Sequence, residues 1–290
     1  MRDFVILTDS CCDLTSELCK ELSVRVLPLK FTLEAKDYRN YPDEREMSNT
    51  AFYKMLREEQ TAKTVAANPD ELERVFTEII ESGSDILYMA FSSGLSSTYS
   101  NGVIAAKITE EKFPEAKITV IDTLCASMGQ GLLVYYAAKE KAKGKTIDEV
   151  ASFVEDNKLR LCHWFTVDDL NHLKRGGRLS PGKALLGSVL GIKPVLHVDN
   201  EGHLVNVSKA RGRKAAVQSL LEHLKDSCIN AEEQTVFISH GDCKEDAESL
   251  AKMVKAAVCP KRIEIGYIGP VIGAHSGPGT LAVFFLGDNR

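Results

Sequence analysis

Short, continuously apolar runs alternate along this 290-residue chain with longer segments of helical periodicity. That alternation limits the folds open to it. Residues 4–7, 85–91 and 117–122 read as strands that lack the apolar/polar alternation of a sheet with one wet face. Between the first two, Asn68 is a good N-cap, Pro69 suits the first helical position, and Asp70 and Glu71 complement the positive end of the dipole. Leu72, Val75, Phe76, Ile79 and Ile80 then share one face, and Gly83 closes the helix. Further helices are predicted at about 14–22, after the 92–98 loop to about 113, and at 127–144, and Thr146-Ile-Asp-Glu149 has capping-box spacing before another. Strands of this kind connected by helices imply a parallel sheet covered by helices.

The pattern changes after about Arg160. A strand at 161–167 and a short helix at 168–174, stopped by Gly176-Gly177, precede a helix at about 181–190. Residues 193–198 and 203–207, joined by Asn200-Glu-Gly202, read as a β-hairpin. Helices at 212–227 and 244–257 then alternate with strands at 235–239, 262–268 and 280–286. The fold class is therefore α/β in two domains: a parallel-sheet domain at 1–158 and a mixed-sheet domain at 159–290. Without a low-complexity linker the two are expected to pack closely, with a ligand site in the cleft between them.

Hydrophobic residues make up 44% of the chain and charged residues 27%, as in globular proteins generally. A net charge of −5 argues against nucleic acid or an anionic membrane as partner. No apolar run approaches the roughly 20 residues of a membrane-spanning helix, and the acidic start does not resemble a signal peptide, so a cytoplasmic protein is expected. The eight cysteines form no Cys-x-x-Cys and no zinc-spaced cluster. They are read as reduced thiols, with no metal and no cofactor expected.

Small polar residues follow three strands just before helices: Thr8-Asp9-Ser10, the 92–98 block, and Asp122-Thr123 with Ser127. Ligands collect at such strand ends, where helix N-termini aim free N–H groups. Each hydroxyl alone is also explained as a helix cap. The four in Ser92-Ser93-Gly-Leu-Ser96-Ser97 exceed what one cap needs, which makes this block the best anion-site candidate of the first half. No Gly-x-Ser-x-Gly elbow and no phosphate-binding glycine loop is present. In the second half, arginines flank the Gly176-Gly177 break, and Val207-Ser-Lys-Ala-Arg211-Gly-Arg213-Lys214 sets basic residues at the opening of a helix. That is the wrong end for the dipole and favours an anionic ligand or a partner. Finally, Ile268-Gly-Pro-Val-Ile-Gly-Ala-His275-Ser-Gly-Pro-Gly279 reads as a rigid open loop presenting one imidazole.

Taken in order, these segments resemble the DegV family over nearly the whole chain. They are Thr8-Asp-Ser10 with Asp13-Leu14, the block at 92–99, and Asp122-Thr with Ser127-x-Gly129-x-Gly131. Next come Leu170-x-x-Leu-x-x-Gly-Gly-Arg-Leu-Ser180, Lys193-Pro-Val-Leu196, the basic 209–214 block and the 268–279 run. Two departures stand out. Ser97 occupies a position where the family has glycine, and Thr64-Val-Ala-Ala-Asn-Pro69 replaces a more polar stretch.

The resemblance implies a protein that is not itself an enzyme. It would bind one long-chain fatty acid, with the carboxylate between the domains and the acyl chain in an apolar tunnel of the second. It would present that carboxylate to a partner, an ATP-dependent fatty-acid kinase, and the acyl phosphate would feed phospholipid synthesis. Carried over by motif, the head-group residues are Thr64, Ser96 (with Ser93 as the alternative serine) and His275, and Arg178 and Arg211 face the kinase. Two other functions stay open at this stage: a hydrolase or acyl-transfer enzyme using the Ser/His cleft, and a binder of another amphipathic anion.

Overall fold

A computed structural model describes residues 2–179 and 191–290. The helix expected at 181–190 and Ser180 of the arginine-rich motif lie outside the described residues. The first elements are β1 (Phe4–Asp9), α1 (Ser16–Glu21), β2 (Arg25–Leu27), β3 (Lys30–Leu33), β4 (Lys36–Arg39), α2 (Asn49–Arg57) and β5 (Ala62–Thr64). There follow α3 (Pro69–Glu81), β6 (Asp85–Ala90), α4 (Thr98–Lys112), β7 (Ile118–Asp122), α5 (Met128–Ala142) and α6 (Ile147–Lys158). After these come β8 (Leu161–Thr166), α7 (Leu170–Arg175), β9 (Ile192–Val198), β10 (Leu204–Arg211) and α8 (Arg213–Ser227). The last described elements are β11 (Thr235–His240), α9 (Lys244–Val258), β12 (Arg262–Tyr267), α10 (Pro270–Ser276) and β13 (Leu281–Leu286).

The N-terminal part carries a parallel sheet in the order β2-β1-β6-β7. All six residues of β6 are buried, which accounts for the continuously apolar pattern of a strand covered on both faces. The local helix signals hold. The Asn68 side chain accepts from the Asp70 N–H ahead of Pro69, and Thr146 and Glu149 form a reciprocal capping box. The C-terminal part is a mixed sheet, β10-β9-β8-β13-β11-β12, in which only β11 and β12 run parallel. A small antiparallel sheet, β4-β3-β5, and α2 fill residues 30–64, a stretch whose strands are too short to show a period.

The 268–279 run departs from its expected open loop. Its centre is the helix α10, with Pro270 in the first turn, where its missing N–H costs nothing. Gly277, at φ +79°, ends the helix.

Helix α5 connects the two parts. Its Gly131–Ala138 stretch carries no charge, with Leu132, Leu133, Val134 and Ala137 fully buried, and it packs on β1 as well as on β8, β11 and β13. A helix without a wet face has to be enclosed, so the core beneath the parallel sheet runs on into the inner face of the mixed sheet. Strand β13 alternates accordingly: Ala282 and Phe284 join that core, whereas Leu281, Val283 and Phe285 join a second one under α8 and α9.

Glycines let α5 approach both neighbours closely. A Cβ on Gly129 would lie 2.2 Å from His163 Nε2 and 2.9 Å from Phe284. Gly129→Ala should therefore destabilise the protein by about 1–3 kcal/mol through overpacking, against a helix-propensity gain of only about 1 kcal/mol. Urea denaturation measures this, and a variant as stable as the parent would contradict the packing described.

Candidate functional site

The order of strand addition in the parallel sheet reverses between β1 and β6, because the chain leaves β1 toward β2 on one side and returns to β6 on the other. Ligand crevices of open α/β sheets form at the carboxyl ends of strands at such a point. Here Asp9 joins the two strand ends. Its carboxylate accepts from the Cys11 N–H at 3.0 Å and the Phe91 N–H at 2.9 Å. Complete burial pushes its pKa up, and those two N–H groups pull it back. The neighbouring hydroxyls are likewise committed to backbone: Thr8 Oγ1 donates to the Met89 carbonyl, Thr123 Oγ1 donates to that of Ala90, and Ser10 Oγ accepts from the Leu29 N–H. The polar groups at these two strand ends therefore hold the frame of the crevice.

Beside them lies an apolar cavity whose empty volume, open solvent at its mouth included, is about 830 Å³. Cys11 and Phe91 line it at the switch point, with Leu29, Leu95 and Ala126 nearby. The mixed sheet contributes Phe165 of β8, Val198 of β9, Leu204 of β10 and Phe284 of β13. Both parts of the chain thus form the wall, whereas the resemblance implied a tunnel confined to the second. Neighbouring phenylalanines separate cleanly: Phe284 faces the cavity and Phe285 belongs to the outer core.

Polar atoms are few in this wall. Pairing of β5 with β3, Thr64 opposite Phe31, sets the Thr64 hydroxyl beside α10. There Thr64 Oγ1 and His275 Nε2 lie 2.8 Å apart. The imidazole rests against the backbone at Gly176, where a Cβ would stand 2.2 Å from His275 Nδ1. That Nδ1 is buried without a hydrogen-bond partner. Burial and, second, the nearby Arg178 charge lower the His275 pKa to about 4, so the ring is neutral at physiological pH. Ser96 lines the same cavity, its Oγ 3.0 Å from Thr98 Oγ1 and accepting from the Thr98 N–H at 3.2 Å.

Thr64, Ser96 and His275 are thus brought to one cavity, and Ser93 is not. It is exposed and donates its N–H to Asp122 Oδ1 at 3.1 Å. Arg178 lines the cavity itself, its Nε donating to the Leu95 carbonyl at 3.1 Å. Arg211 is exposed at the end of β10 and is not among the lining residues. His275 is bonded to Thr64 and Ser96 to Thr98, so these two residues do not form the Ser–His pair that acyl hydrolysis requires.

Three contributors escaped the sequence reading. Ser276 lines the cavity with a buried hydroxyl that has no partner. Lys63 and Arg175 border an adjoining cleft that also reaches Thr64, Arg178 and His275. Arg175 stood in the noted Gly-Gly segment, but nothing in its spacing tied it to position 64. The basic 207–214 cluster is partly explained by structure: Arg213 Nε pairs with Asp246 at 2.8 Å. No His/Cys/Asp/Glu group able to hold a metal occurs among the described residues. Among them, too, no helix is long and apolar enough to cross a membrane.

Two measurements follow from this geometry. Because the folded pKa lies below the ordinary 6.5, neutral His275 contributes stability that is complete above about pH 6.5 and is lost as pH falls through about 4. Its ring C–H resonances should stay constant from pH 8 to about 5, and a midpoint near 6.5 would refute the buried neutral ring. Gly176 has an ordinary helical φ of −72°, so Gly176→Ala should leave the backbone intact and displace the imidazole. The same resonances should shift, and an unmoved His275 spectrum would rule out this contact.

The DegV family model matches residues 3–288 of the chain. A DegV domain-containing protein of Clostridium perfringens is 49% identical over 290 residues, covering 100% of this chain and 99% of its own. Among solved structures, a Thermus thermophilus DegV family protein described as fatty-acid-binding superposes with a TM-score of 0.88 at 29% identity, over 99% of this chain and 100% of that one. DegV from Bacillus subtilis, described as a fatty acid binding protein, gives 0.86 at 26% identity with the same coverage. This chain belongs to the DegV family.

Proposed function

We propose that this chain binds one long-chain fatty acid in the apolar cavity and presents its carboxylate to an ATP-dependent fatty-acid kinase. That partner would form the acyl phosphate, in the cytoplasm, for phospholipid synthesis. Residues 1–158 and 159–290 would act as two domains enclosing the ligand. The carrying observation is an apolar cavity with Thr64 and His275 paired at 2.8 Å in its wall and Ser96 beside them. The fatty acids named for the Thermus and Bacillus relatives support the same ligand class.

The energetics fit an anchored acid. Ten buried methylenes contribute roughly 8 kcal/mol, whereas a hydrogen bond to a charged group contributes only about 1.5–3 kcal/mol. The acyl chain therefore supplies affinity and the polar clasp supplies orientation. The Thr64 and Ser96 hydroxyls are donors suited to a carboxylate, with the Nε2–H of neutral His275 donating to Thr64 Oγ1 so that the Thr64 proton is free for the ligand, and the Arg178 charge adds attraction from the cavity wall. This chain needs no catalytic base, because a carboxylate is already the nucleophile and the kinase supplies ATP. Arg178 and Arg211 would engage the kinase, and Lys63 and Arg175 extend the basic surface beside the site.

Native mass spectrometry of the protein as purified from cells should find one long-chain acid per chain, and its consistent absence would reject the ligand. Ser96→Ala and His275→Ala should each weaken retention about tenfold, the order expected for a charge-assisted hydrogen bond, and should slow kinase-dependent phosphorylation with the fold intact. Undiminished retention in both would reject the clasp. Arg211→Ala should keep the lipid and lose phosphorylation, and lipid loss would move Arg211 into the pocket.

A further inference from the structure

The cleft that adjoins the acyl cavity gathers positive charge without a counter-charge. It shares Thr64, Arg178 and His275 with the cavity, and its empty volume, open solvent at its mouth included, is about 1020 Å³. Lys63, Arg175 and Arg178 line it, and among the described residues no Asp or Glu does. Asp169, close by in sequence, caps α7 by accepting the Asn171 N–H at 2.9 Å and is not a lining residue. The chain carries a net charge of −5, so three cations collected on one cleft without a carboxylate form a local field that attracts anions. Their donors are only partly used. Arg178 donates from Nε to the Leu95 carbonyl and from Nη1 to that of Gly176, and Arg175 Nη2 lies 3.2 Å from His172 Nδ1.

The edge of β5 adds neutral donors. The Val65 N–H bonds to the Lys30 carbonyl at 3.1 Å, so in this antiparallel pair Ala62 and Thr64 turn their N–H groups away from β3. Strand β5 ends the sheet β4-β3-β5, and both residues line the cleft along that free edge. Lys63 and Thr64 therefore both border the cleft, although their side chains leave opposite faces of the strand. Guanidinium groups, an ammonium and backbone N–H groups without carboxylates are the donors that bind phosphate-class anions.

We propose that this cleft is a subsite for a phosphoryl dianion joined to the carboxyl group of the bound acid. The proposal rests on the fatty-acid reading. Thr64, Arg178 and His275 stand where cavity and cleft meet, so a phosphoryl group on a carboxyl held there enters the cleft toward Lys63 and Arg175. Free phosphate has the same chemistry, and the test separates the two sources.

The probes are palmitate, inorganic phosphate and 2-oxoheptadecylphosphonate, in which a methylene replaces the bridging oxygen of palmitoyl phosphate. All are titrated into the full chain at pH 8 and low ionic strength, with no kinase present. The phosphonate should bind about tenfold or more tightly than palmitate, the order expected for added charge-assisted hydrogen bonds. The double variant Lys63→Gln, Arg175→Gln, both exposed positions, should lose that advantage while palmitate binding changes less than about twofold. Equal binding of the two lipids, or an advantage that survives the double variant, would overturn the proposal and leave the fatty-acid reading standing. A surface that only docks a partner protein would give that result. Saturable shifts of the Thr64 amide with inorganic phosphate, without a phosphonate advantage, would assign the cleft to free phosphate and likewise overturn it. Failure of the parent chain to bind palmitate would reject the fatty-acid reading itself.

Discussion

A helical stretch without a wet face cannot lie on the surface, and Gly131–Ala138 of α5 is such a stretch. Its burial requires two sheets to meet over it, and the rest of the architecture follows from that requirement. The glycines at 129 and 131 let it approach His163 on one side and the Cys12 carbonyl on the other. Gln130, fully buried on the same helix, donates to Thr8 Oγ1 at 2.8 Å and so ties α5 to β1. With both sheets fixed against one rod, the crevice at the switch point becomes a cavity, bordered by Leu173 of α7, Ile272 and His275 of α10, and Thr64 of the small antiparallel sheet.

The polar framework around that cavity is divided by function. Asp9, Thr8, Ser10 and Thr123 spend their hydrogen bonds on strand ends, which holds the crevice open in a defined shape. Thr64, Ser96, Ser276 and His275 are the groups left to face into it. A neutral imidazole suits this position. A permanent cation there would carry a large desolvation penalty, which the neutral His275 ring avoids. Among the described residues the one guanidinium in the wall, Arg178, is partly exposed and anchors on the Leu95 carbonyl.

What could be read from sequence was what neighbouring residues determine. Asn68-Pro69, the Thr146–Glu149 box and the apolar run at 85–90 have their cause within a turn or a strand, and the structure places each as read. Strands of three or four residues, such as β3, β4 and β5, owe their existence to pairing partners and show no period of their own. Helix α10 was obscured differently. Gly269, Pro270 and Gly277 are the boundary residues of a seven-residue helix, and at that length boundary signals outnumber the interior. The family resemblance brought Thr64, Ser96 and His275 together. Spacing alone could not, because 211 residues separate Thr64 from His275.

Cavity and core draw on the same side chains, so no residue type marks a tunnel. Phe284 and Phe285 are adjacent, chemically identical and both buried, and only the pleat of β13 sends one to the cavity and the other under α8 and α9. The backbone carries a clearer mark. Ser127 adopts φ +52° and ψ −146°, a region that residues with a Cβ avoid. Its hydroxyl donates to Asp13 at 2.6 Å and lies 3.0 Å from Ser239 Oγ. Asp13 in turn accepts the Gly269 N–H at 2.9 Å, immediately before α10. Hydrogen bonds to two distant segments, at Asp13 and Ser239, hold this strained residue at the N-terminus of α5, where the cavity wall begins, and Asp13 links it to Gly269. A chain folding only for compactness would relax such a residue. Here its geometry is kept because it orients the start of α5 and the approach to α10 together, and those two elements bound the cavity.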